Sequence, residues 1–298
     1  MLSILIPTYN YNVYPLVLTL VTQAQKSAIT FEIICIDDGS NGSEIASNEA
    51  INTIENCSFI ARTTNTGRTK TRQELAEKAT YQWLLFLDAD VMPKQANFLE
   101  NYIALLQENQ PVIFGGIAYH KNQFRPENAL RFKFGSKREV VPAAIRQQSE
   151  YRVTCSANFV IKKNLFLKTN QYNLAHRYGM DYVFGNTLKA HNIAVKHTNN
   201  EVYHLGIDAN KDFLEKTKQS LQTLNILNPD DDQQTPIRLL KYYLFLKQLY
   251  LHTLFGKIML LMEPTITKYL TKNKAPNLFV FDLYRLGYFC RIRSLQTE

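Results

Sequence analysis

The sequence predicts an α/β fold, with a mostly parallel sheet flanked by helices and a helical C-terminal extension. Three short aliphatic runs predict the sheet: residues 2–6, 32–36 and 83–87. Near-continuous apolar runs rich in Ile and Leu are typical of strands buried on both faces of a parallel sheet. Segments with helical spacing separate these runs, and such alternation indicates a doubly wound sheet.

The segments between these strands supply the flanking helices. Within residues 14–26, Leu16, Leu20 and Ala24 recur at helical spacing, as expected for a helix that covers one face of a sheet. The other elements predicted up to residue 118 are helices over 44–54, 68–79 and 98–107 and strands over 58–62 and 111–118.

Residues 119–150 differ from the rest of this region, because basic residues outnumber acidic ones there without clear periodicity. Long irregular segments inside a compact domain are commonly functional or mobile, and we expect an irregular segment here. Regular structure is predicted again after it. The predicted elements are a strand over 153–161, a helix over 163–168, a helix from 179–181 to His191 and a strand that ends near His204.

A change of composition divides the chain into an α/β domain, residues 1–206, and a helical extension, residues 207–298. In the extension, residues 211–227 have the pattern of an amphipathic helix and residues 228–232 form a polar linker. Residues 237–262 are strongly apolar but contain three lysines, each of which costs about 2.5 to 3.5 kcal/mol at the centre of a membrane-spanning helix. We expect this segment to pack on the α/β domain or to lie at a membrane surface, not to cross the membrane.

Composition indicates a globular protein of the cell interior. The chain has 298 residues, 45% of them hydrophobic and 20% charged. Its first strand is predicted to begin at Met1 or Leu2, which leaves no room for a secretory signal, so a cytoplasmic location is expected. The four cysteines are scattered without a Cys-x-x-Cys pair, and neither a disulfide framework nor a zinc site is predicted.

The chain is basic, with a formal net charge of +8. Its basic residues do not form one run interleaved with aromatic residues, so nucleic acid is not an expected partner. Phosphorylated substrates and anionic lipid headgroups would both be attracted by this sign of charge.

Polar and acidic residues follow the ends of the three aliphatic strands. Thr8 follows the first strand, Asp38 the second and Asp90 the third. Ligands of open α/β sheets bind beyond the carboxyl ends of the strands, so these side chains are expected along one crevice. Carboxylates at such an edge commonly hold a ribose, a base edge or a divalent cation.

Four short motifs at these strand ends resemble those of family 2 glycosyltransferases of the GT-A fold, which has a Rossmann-like sheet. The motifs are Pro7-Thr8-Tyr9-Asn10, Asp37-Asp38-Gly39-Ser40, Asn65-Thr66-Gly67-Arg68 followed by Arg72, and Asp88-Ala89-Asp90. The resemblance covers residues 1–206. It implies an inverting transfer of a sugar from a nucleotide diphosphate donor, for which a UDP-sugar is expected, to a glycan or lipid-linked acceptor. The implied setting is polysaccharide or glycolipid synthesis at the inner face of the cell membrane.

The resemblance also implies a metal site. A nucleotide diphosphate leaving group needs its charge neutralised, and Mg²⁺ or Mn²⁺ can do this as a Lewis acid. Asp90 is the implied ligand, together with His204 from the Tyr203-His204-Leu205-Gly206 sequence, although His204 has an ordinary polar residue as its alternative role. The alternative for Asp88 and Asp90 is that they merely start a turn before Pro93.

Donor binding is implied for a set of residues at the same edge. Asp38, or else Asp37, would accept a hydrogen bond from the base, although both are also favoured turn formers before Gly39. Arg72 and, with less weight, Arg68 would bind phosphate at a helix N-terminus, where a basic turn is the alternative. The implied donor-binding residues are Pro7, Thr8, Tyr9, Asp37, Asp38, Arg68, Arg72, Asp88 and Ala89.

Asp181 is the candidate catalytic base. An inverting transfer needs a carboxylate that removes the proton of the acceptor hydroxyl, from a segment other than the metal motif. Members of the family usually have an acidic pair here, whereas this chain has Met180 before Asp181. A helix N-cap is the alternative role for Asp181.

Two other function classes stay open. A sugar nucleotidyltransferase shares the nucleotide and metal chemistry, but its first strand is usually followed by a glycine-rich loop, and residues 7–11 contain no glycine. A non-catalytic nucleotide- or glycan-binding module is the second alternative, because Met180 replaces an acidic residue of the family.

Overall fold

The structure, a computed structural model, describes residues 1–170, 178–227 and 237–295. The chain forms two compact units. The first comprises residues 1–119, 139–176 and 181–206, and the second comprises residues 120–138, 177–180 and 207–298. The predicted polar linker at residues 228–232 lies outside the described residues.

The described strands form a single mixed sheet in the first unit. They are β1 (Leu2–Thr8), β2 (Phe31–Asp37), β3 (Cys57–Ala61), β4 (Trp83–Leu87), β5 (Val91–Pro93), β6 (Val112–Ala118), β7 (Asn158–Lys162) and β8 (Val195–His204). Their order is β3-β2-β1-β4-β7-β6-β8-β5. β1 is parallel to β2 and β4, β2 to β3, and β6 to β8, whereas β7 and β5 are antiparallel to their partners. The predicted α/β fold with a mostly parallel sheet is confirmed.

The helices of the two units follow in chain order. They are α1 (Tyr14–Lys26), α2 (Glu44–Glu49), α3 (Arg68–Lys78), α4 (Phe98–Leu106), α5 (Ala129–Phe134), α6 (Ala143–Gln147), α7 (Lys163–Thr169), α8 (Met180–Ala190), α9 (Asn210–Leu227), α10 (Arg238–Gln248), α11 (His252–Lys272) and α12 (Leu278–Ser294). The predictions of α1, α3, α4, α7, α8 and α9 are confirmed to within one or two residues at each end.

Side chains along the central strands point alternately to the two faces of the sheet, and they contribute to an apolar core on each face. In β1, Ile4 and Ile6 face one apolar cluster while Leu5 faces the other. α1 covers the first face through residues such as Leu16, and α3 covers the second through residues such as Leu75. The aliphatic runs are therefore almost continuously apolar because both of their faces are buried, as expected for strands of a doubly wound sheet.

Several predicted elements differ from the structure. The helix expected over residues 44–54 ends at Glu49 and continues only as the 3₁₀ turn Ala50–Thr53. The strand expected over 153–161 begins only at Asn158, because a turn closed by Asn158 N–H and the Cys155 carbonyl precedes it. The short strand β5 was not predicted, since three residues are too few to show a pattern.

The expectation of an irregular segment at residues 119–150 is wrong. The segment contains α5, the π-helical turn Gly135–Glu139 and α6. These elements are five or six residues long, which is too short for helical periodicity to show among so many charges. In the second unit, Arg138 of this segment forms a bidentate ion pair with Asp282, at 2.7 and 2.6 Å.

The second unit is helical, as predicted for the C-terminal extension. Its core gathers Phe213 of α9, Ile266 of α11 and Phe281 of α12. The apolar segment 237–262 is not one helix, because α10 and α11 meet at a bend of 117°. Among the described residues no single helix has the length and apolar character to cross a membrane, and α10 and α11 meet those two criteria only as a bent pair.

Candidate active site

A switch point of the sheet lies between β1 and β4, because β2 and β3 extend to one side of β1 and β4 lies on the other. The register of β1 with β2 continues to Thr8, but its register with β4 ends at Leu5. Pro7, which has no N–H to donate, lies beyond this last pairing with β4. Thr8, Asp38 and Asp88 lie at adjacent strand ends, at the place where ligands of such sheets bind, and Asp90, the residue expected beside Thr8 and Asp38, follows Asp88 by two positions.

The loops that follow β1 and β2 are tied to each other. The N–H of Asn10 donates to Ser40 Oγ at 2.7 Å, and the hydroxyl of Thr8 donates to the carbonyl of Tyr11 at 3.2 Å. Tyr9 is half exposed at this rim. The loop that carries Thr8 and Tyr9 is therefore held in place by the polar turn after β2.

Asp37 is fully buried and shapes that turn. Its carboxylate accepts hydrogen bonds from the N–H and the hydroxyl of Ser40, at 2.7 and 2.6 Å. Gly39 has a φ of 82°, and a Cβ there would lie 2.6 Å from the carbonyl carbon of Thr64. Asp37 thus has the turn-forming role that its sequence context allowed.

Asp38 is nearly buried and connects the ends of β2 and β3 to α3. It accepts hydrogen bonds from the N–H groups of Thr66 and Gly67, both at 2.8 Å, and from Arg62 at 3.0 Å. The side chain therefore orders the turn that begins α3. Contact between Asp38 and a nucleotide base stays a prediction.

Asp88 is held by two arginines from the first two turns of α3. Arg72 Nη2 lies 2.6 Å from Asp88 Oδ1, and Arg68 Nη1 lies 3.1 Å from Oδ2. Burial alone would raise the pKa of the Asp88 carboxyl, but the charges of Arg68 and Arg72 outweigh burial and hold that pKa below its usual value. Asp88 is therefore fixed as a carboxylate at the switch point.

Arg72 is buried beneath the rim. Its Nη2 donates both to Asp88 and to the carbonyl of Ser156, the latter also at 2.6 Å. Its guanidinium carbon lies 5.8 and 5.7 Å from the ring centres of Phe86 and Phe159. In this structure Arg72 orients Asp88, and the predicted contact of Arg72 with phosphate stays a prediction.

Arg68 links the Asp88-Ala89-Asp90 motif to the candidate base. While its Nη1 contacts Asp88, its Nη2 lies 2.8 Å from Asp181 Oδ1. The side chains of Arg68 and Asp181 are 44% and 46% exposed, so both are open to a substrate. The hydroxyl of Thr154 donates to the Asp181 carbonyl at 3.1 Å and helps to fix the start of α8.

Asp90 and His204 come together through the pairing of β5 with β8. Val91 is the register partner of His204, and the N–H of Leu205 donates to the Asp90 carbonyl at 2.7 Å. This places His204 Nε2 3.3 Å from Asp90 Oδ2. Gly206 keeps the space open, because a Cβ there would lie 2.1 Å from the same Asp90 oxygen.

The Asp90 and His204 pair fits a cation that also binds substrate. No cluster of three or more His, Cys, Asp or Glu that could enclose a metal is found in the described part of the chain. Mg²⁺ and related hard cations are commonly bound by one or two carboxylates plus substrate phosphates and water, and so need no complete protein cage. The pair therefore suits a metal that arrives with, or is completed by, a diphosphate.

Two further residues near this pair were not found from the sequence. Burial, and then the charge of Asp90, raises the pKa of the Tyr11 hydroxyl. Tyr11 is therefore close enough to Asp90 to interact with it electrostatically. The ring of Tyr119 lies 5.7 Å from that of His204. A single tyrosine in a loop carries no sequence signal that distinguishes such a position.

A mostly parallel sheet with helices on both faces and carboxylates at its switch point defines the GT-A class of fold. The family model described as "Glycosyl transferase family 2" matches residues 3–169, more than half of the chain. The chain belongs to glycosyl transferase family 2, and the resemblance seen in its motifs is confirmed.

Curated relatives support this membership. An "Uncharacterized glycosyltransferase" of Haemophilus influenzae is 29% identical over 197 residues, which are 62% of this chain and 60% of that protein. A "PGL/p-HBAD biosynthesis glycosyltransferase" of Mycobacterium bovis is 29% identical over 192 residues, with coverage of 62% and 68%. The chain thus spans less than two thirds of the length of the Haemophilus relative.

Solved structures show the same fold over almost the whole chain. Staphylococcus aureus TarS 1-349, solved in complex with UDP-GlcNAc, has a TM-score of 0.52 and 17% identity, with coverage of 99% of this chain and 91% of that one. A second TarS structure has a TM-score of 0.51 and 19% identity. At these identities the likeness concerns the fold alone.

Proposed function

We propose that this protein transfers a sugar from a nucleotide diphosphate donor to an acceptor hydroxyl, with inversion. The observation that carries the proposal is the grouping of three functional elements in one unit: Asp88, the Asp90 and His204 pair, and Asp181. Arg68 bridges Asp88 and Asp181, which joins the nucleotide-side motif to the acceptor-side carboxylate. Family membership supports the same reaction class.

A UDP-sugar is the proposed donor, and TarS, solved with UDP-GlcNAc, shares the fold. The diphosphate would meet Arg68, which is exposed, charged and close to the N-terminus of α3. A helix N-terminus together with a cation favours phosphate. A glycan or a lipid-linked sugar is the proposed acceptor, and the reaction belongs to the cytoplasm, where nucleotide sugars are made.

Asp90 and His204 are the proposed ligands of Mg²⁺ or Mn²⁺. The cation would supply Lewis acidity, which neutralises the charge that develops on the leaving diphosphate. The protein contributes the fixed separation of the two side chains, set by the pairing of β5 and β8. It also contributes Gly206, whose missing side chain leaves room for the Asp90 carboxylate.

Asp181 is the proposed base. Its carboxylate would take the proton of the acceptor hydroxyl while the hydroxyl oxygen bonds to the anomeric carbon and the bond to the diphosphate breaks. Asp181 is half exposed and its partner Arg68 is shared with Asp88, so the carboxylate is accessible from the acceptor side. Met180, where the family usually has an acidic residue, is buried, so Asp181 acts without a second carboxylate at that position.

A non-catalytic binding module is the second candidate, and Met180 is the residue that favours it. Release of nucleoside diphosphate from a UDP-sugar in the presence of an acceptor would separate the two candidates. A transferase produces the diphosphate and a module does not.

The metal assignment predicts the behaviour of Asp90→Ala. The substitution removes a carboxylate ligand, so Mn²⁺-dependent binding of UDP and UDP-sugars should be lost while the melting temperature changes little. Isothermal titration with and without Mn²⁺ measures this. Asp208→Ala is a control, since Asp208 belongs to the second unit, where it pairs with Lys216 at 2.6 Å. Metal-dependent affinity that survives in Asp90→Ala would refute the assignment.

A further inference from the structure

The outer faces of α10 and α11 are apolar and exposed. On α10, Tyr242 and Phe245 lie at helical spacing and are 62% and 58% exposed, and Leu249, just after the helix, is 49% exposed. On α11, Leu254 and Leu261 are 55% and 83% exposed. Single exposed apolar residues are ordinary on a protein surface, whereas a contiguous set marks a site of interaction.

The bend that joins the two helices is also apolar and exposed. Leu249, Tyr250 and Leu251 form the bend, and all three are exposed, Tyr250 to 88%. Tyr250 has a φ of 55°, which is uncommon for a bulky residue and holds the ring at the tip of the bend. The exposed side chains of residues 241–262 are called the α10–α11 surface below.

The opposite faces of the same helices are anchored inside the second unit. The Tyr243 ring of α10 packs edge-on against Phe289 of α12, with 5.2 Å between ring centres. Met259 and Ile266 of α11 are buried in the core that contains Phe281. The α10–α11 surface is therefore a fixed feature of a packed helical unit.

Charge indicates what covers this surface. Residues 237–262 contain Arg238, Lys241, Lys247 and Lys257 and no acidic residue. Two copies of the chain that met through this surface would oppose like charges, because a two-fold contact joins identical patches. A surface of exposed aromatic and aliphatic groups with only positive charge fits the headgroup boundary of an anionic bilayer.

We propose that the α10–α11 surface docks the protein on a membrane of anionic phospholipid. Its apolar side chains enter the boundary between headgroups and acyl chains, and its lysines lie among the lipid phosphates. Tyr242, Phe245 and Tyr250 place aromatic rings at the interface, where amphipathic rings are favoured. Docking of this kind brings the protein to lipid-borne molecules without a membrane-spanning segment.

Co-sedimentation with vesicles tests the proposal and involves no sugar donor, so its outcome is independent of the transfer reaction. The protein should bind vesicles of phosphatidylglycerol mixed with phosphatidylcholine and bind pure phosphatidylcholine weakly. Binding should fall as salt rises, because screening shortens the reach of the lysines to about 8 Å at physiological ionic strength. An absence of binding to anionic vesicles at low salt would overturn the proposal.

Two charge variants test whether the α10–α11 surface is the part of the protein that binds the vesicles. Lys241→Gln with Lys257→Gln should weaken binding about 25-fold, since each lysine near an anionic surface contributes roughly fivefold. Lys268→Gln with Lys274→Gln makes the same change in charge, and both residues are exposed. Lys268 lies about 16 Å beyond Lys257 along α11, at 1.5 Å per residue. Equal effects of the two pairs would show a diffuse attraction and contradict docking through the α10–α11 surface.

The apolar contribution is tested with Phe245→Ser combined with Leu261→Ser. Both side chains are exposed, so the melting temperature should be unchanged while vesicle binding is largely lost. Phe279→Ser is the matched control, because Phe279 is 65% exposed at the start of α12. That end of α12 is remote from the bend, since Gly256 faces Arg291 near the other end of α12. If the double variant instead turns a dimer into a monomer and leaves vesicle binding intact, the surface is a protein interface and the proposal fails.

Discussion

Arg68 and Arg72 hold one carboxylate, that of Asp88, from two different environments. Arg72 is buried against two phenylalanine rings, whereas the Arg68 side chain is 44% exposed and also contacts Asp181. A buried guanidinium is expensive to desolvate unless it stays paired, so Arg72 is a fixed part of the site. Arg68 is therefore the arginine that we propose exchanges a carboxylate partner for a donor phosphate.

The substitution Arg72→Lys tests whether Arg72 is a fixed structural part of the site. Lysine keeps the charge but loses the planar fork that reaches Asp88 and the Ser156 carbonyl and stacks on the rings. The free energy of unfolding, from denaturant titration, should fall by about 1 to 3 kcal/mol. Lys70→Arg on the exposed side of α3 is the control and should stay within about 0.5 kcal/mol of the wild type. Equal stability of the two variants would contradict the role given to Arg72.

Strand β8 contains two histidines, His197 and His204, which have different roles. Its C-terminal residue, His204, pairs with Asp90 through β5, while His197 lies inside the unit and stacks on Phe114 at 5.6 Å. His197 Nδ1 accepts from Arg146 at 2.8 Å and its Nε2 lies 2.8 Å from the Glu150 carbonyl, to which it donates. This neutral ring fastens α6 and the segment that follows it to the sheet.

His197 predicts a loss of stability in acid. Burial, with the charge of Arg146, lowers the pKa of His197 to about 4, against an ordinary value of 6.5. The unfolded chain therefore binds the proton first, so the stability is complete above pH 6.5 and is lost as the pH falls towards 4. One such proton contributes at most about 1.4 kcal/mol per pH unit to the slope.

The measurement is the free energy of unfolding between pH 7 and pH 4, taken about every half unit for the wild type and for His197→Asn. His197→Asn should be less stable at pH 7 but should show a smaller slope, because the titrating ring is gone. His191→Asn, at an exposed position at the end of α8, should leave the slope unchanged. A slope in His197→Asn as steep as that of the wild type would contradict the assignment.

Some short elements could not be predicted from sequence patterns. β5 has three residues, and the closeness of Asp90 to His204 depends on its pairing with β8, so periodicity could not predict that distance. The π-helical turn Gly135–Glu139 and its short neighbours were hidden for the same reason. The central strands were predictable because both of their faces are buried, so that their sequences are near-continuous apolar runs.

For the whole molecule, the sequence predicted the class of fold and the edge of the sheet where the site lies. Thr8, Asp38 and Asp88 follow long apolar runs, and parallel strands bring their ends together. What the sequence did not reveal is how the roles are divided: Asp38 orders the turn that begins α3, Arg72 is buried, and Arg68 reaches Asp181. These contacts depend on tertiary packing between residues up to 113 positions apart.

The substitution Asp181→Asn tests the proposal that the protein is a transferase whose base is Asp181. Asp181→Asn keeps the size of the side chain but cannot take a proton at neutral pH. Losing a positioned base costs on the order of 10² to 10⁴ in rate, or roughly 3 to 5 kcal/mol of transition-state stabilisation.

The measurement is the rate of sugar transfer together with the affinity for the donor, in the wild type and in Asp181→Asn. Transfer should fall by at least about 10² while the donor affinity changes little, because the proposed base would act on the acceptor and not on the donor. Asp212→Asn, in the first turn of α9, is the control for a carboxylate outside the site. A wild-type rate of transfer in Asp181→Asn would contradict the role of Asp181 as the base. A loss of donor affinity as large as the loss of rate would contradict it as well.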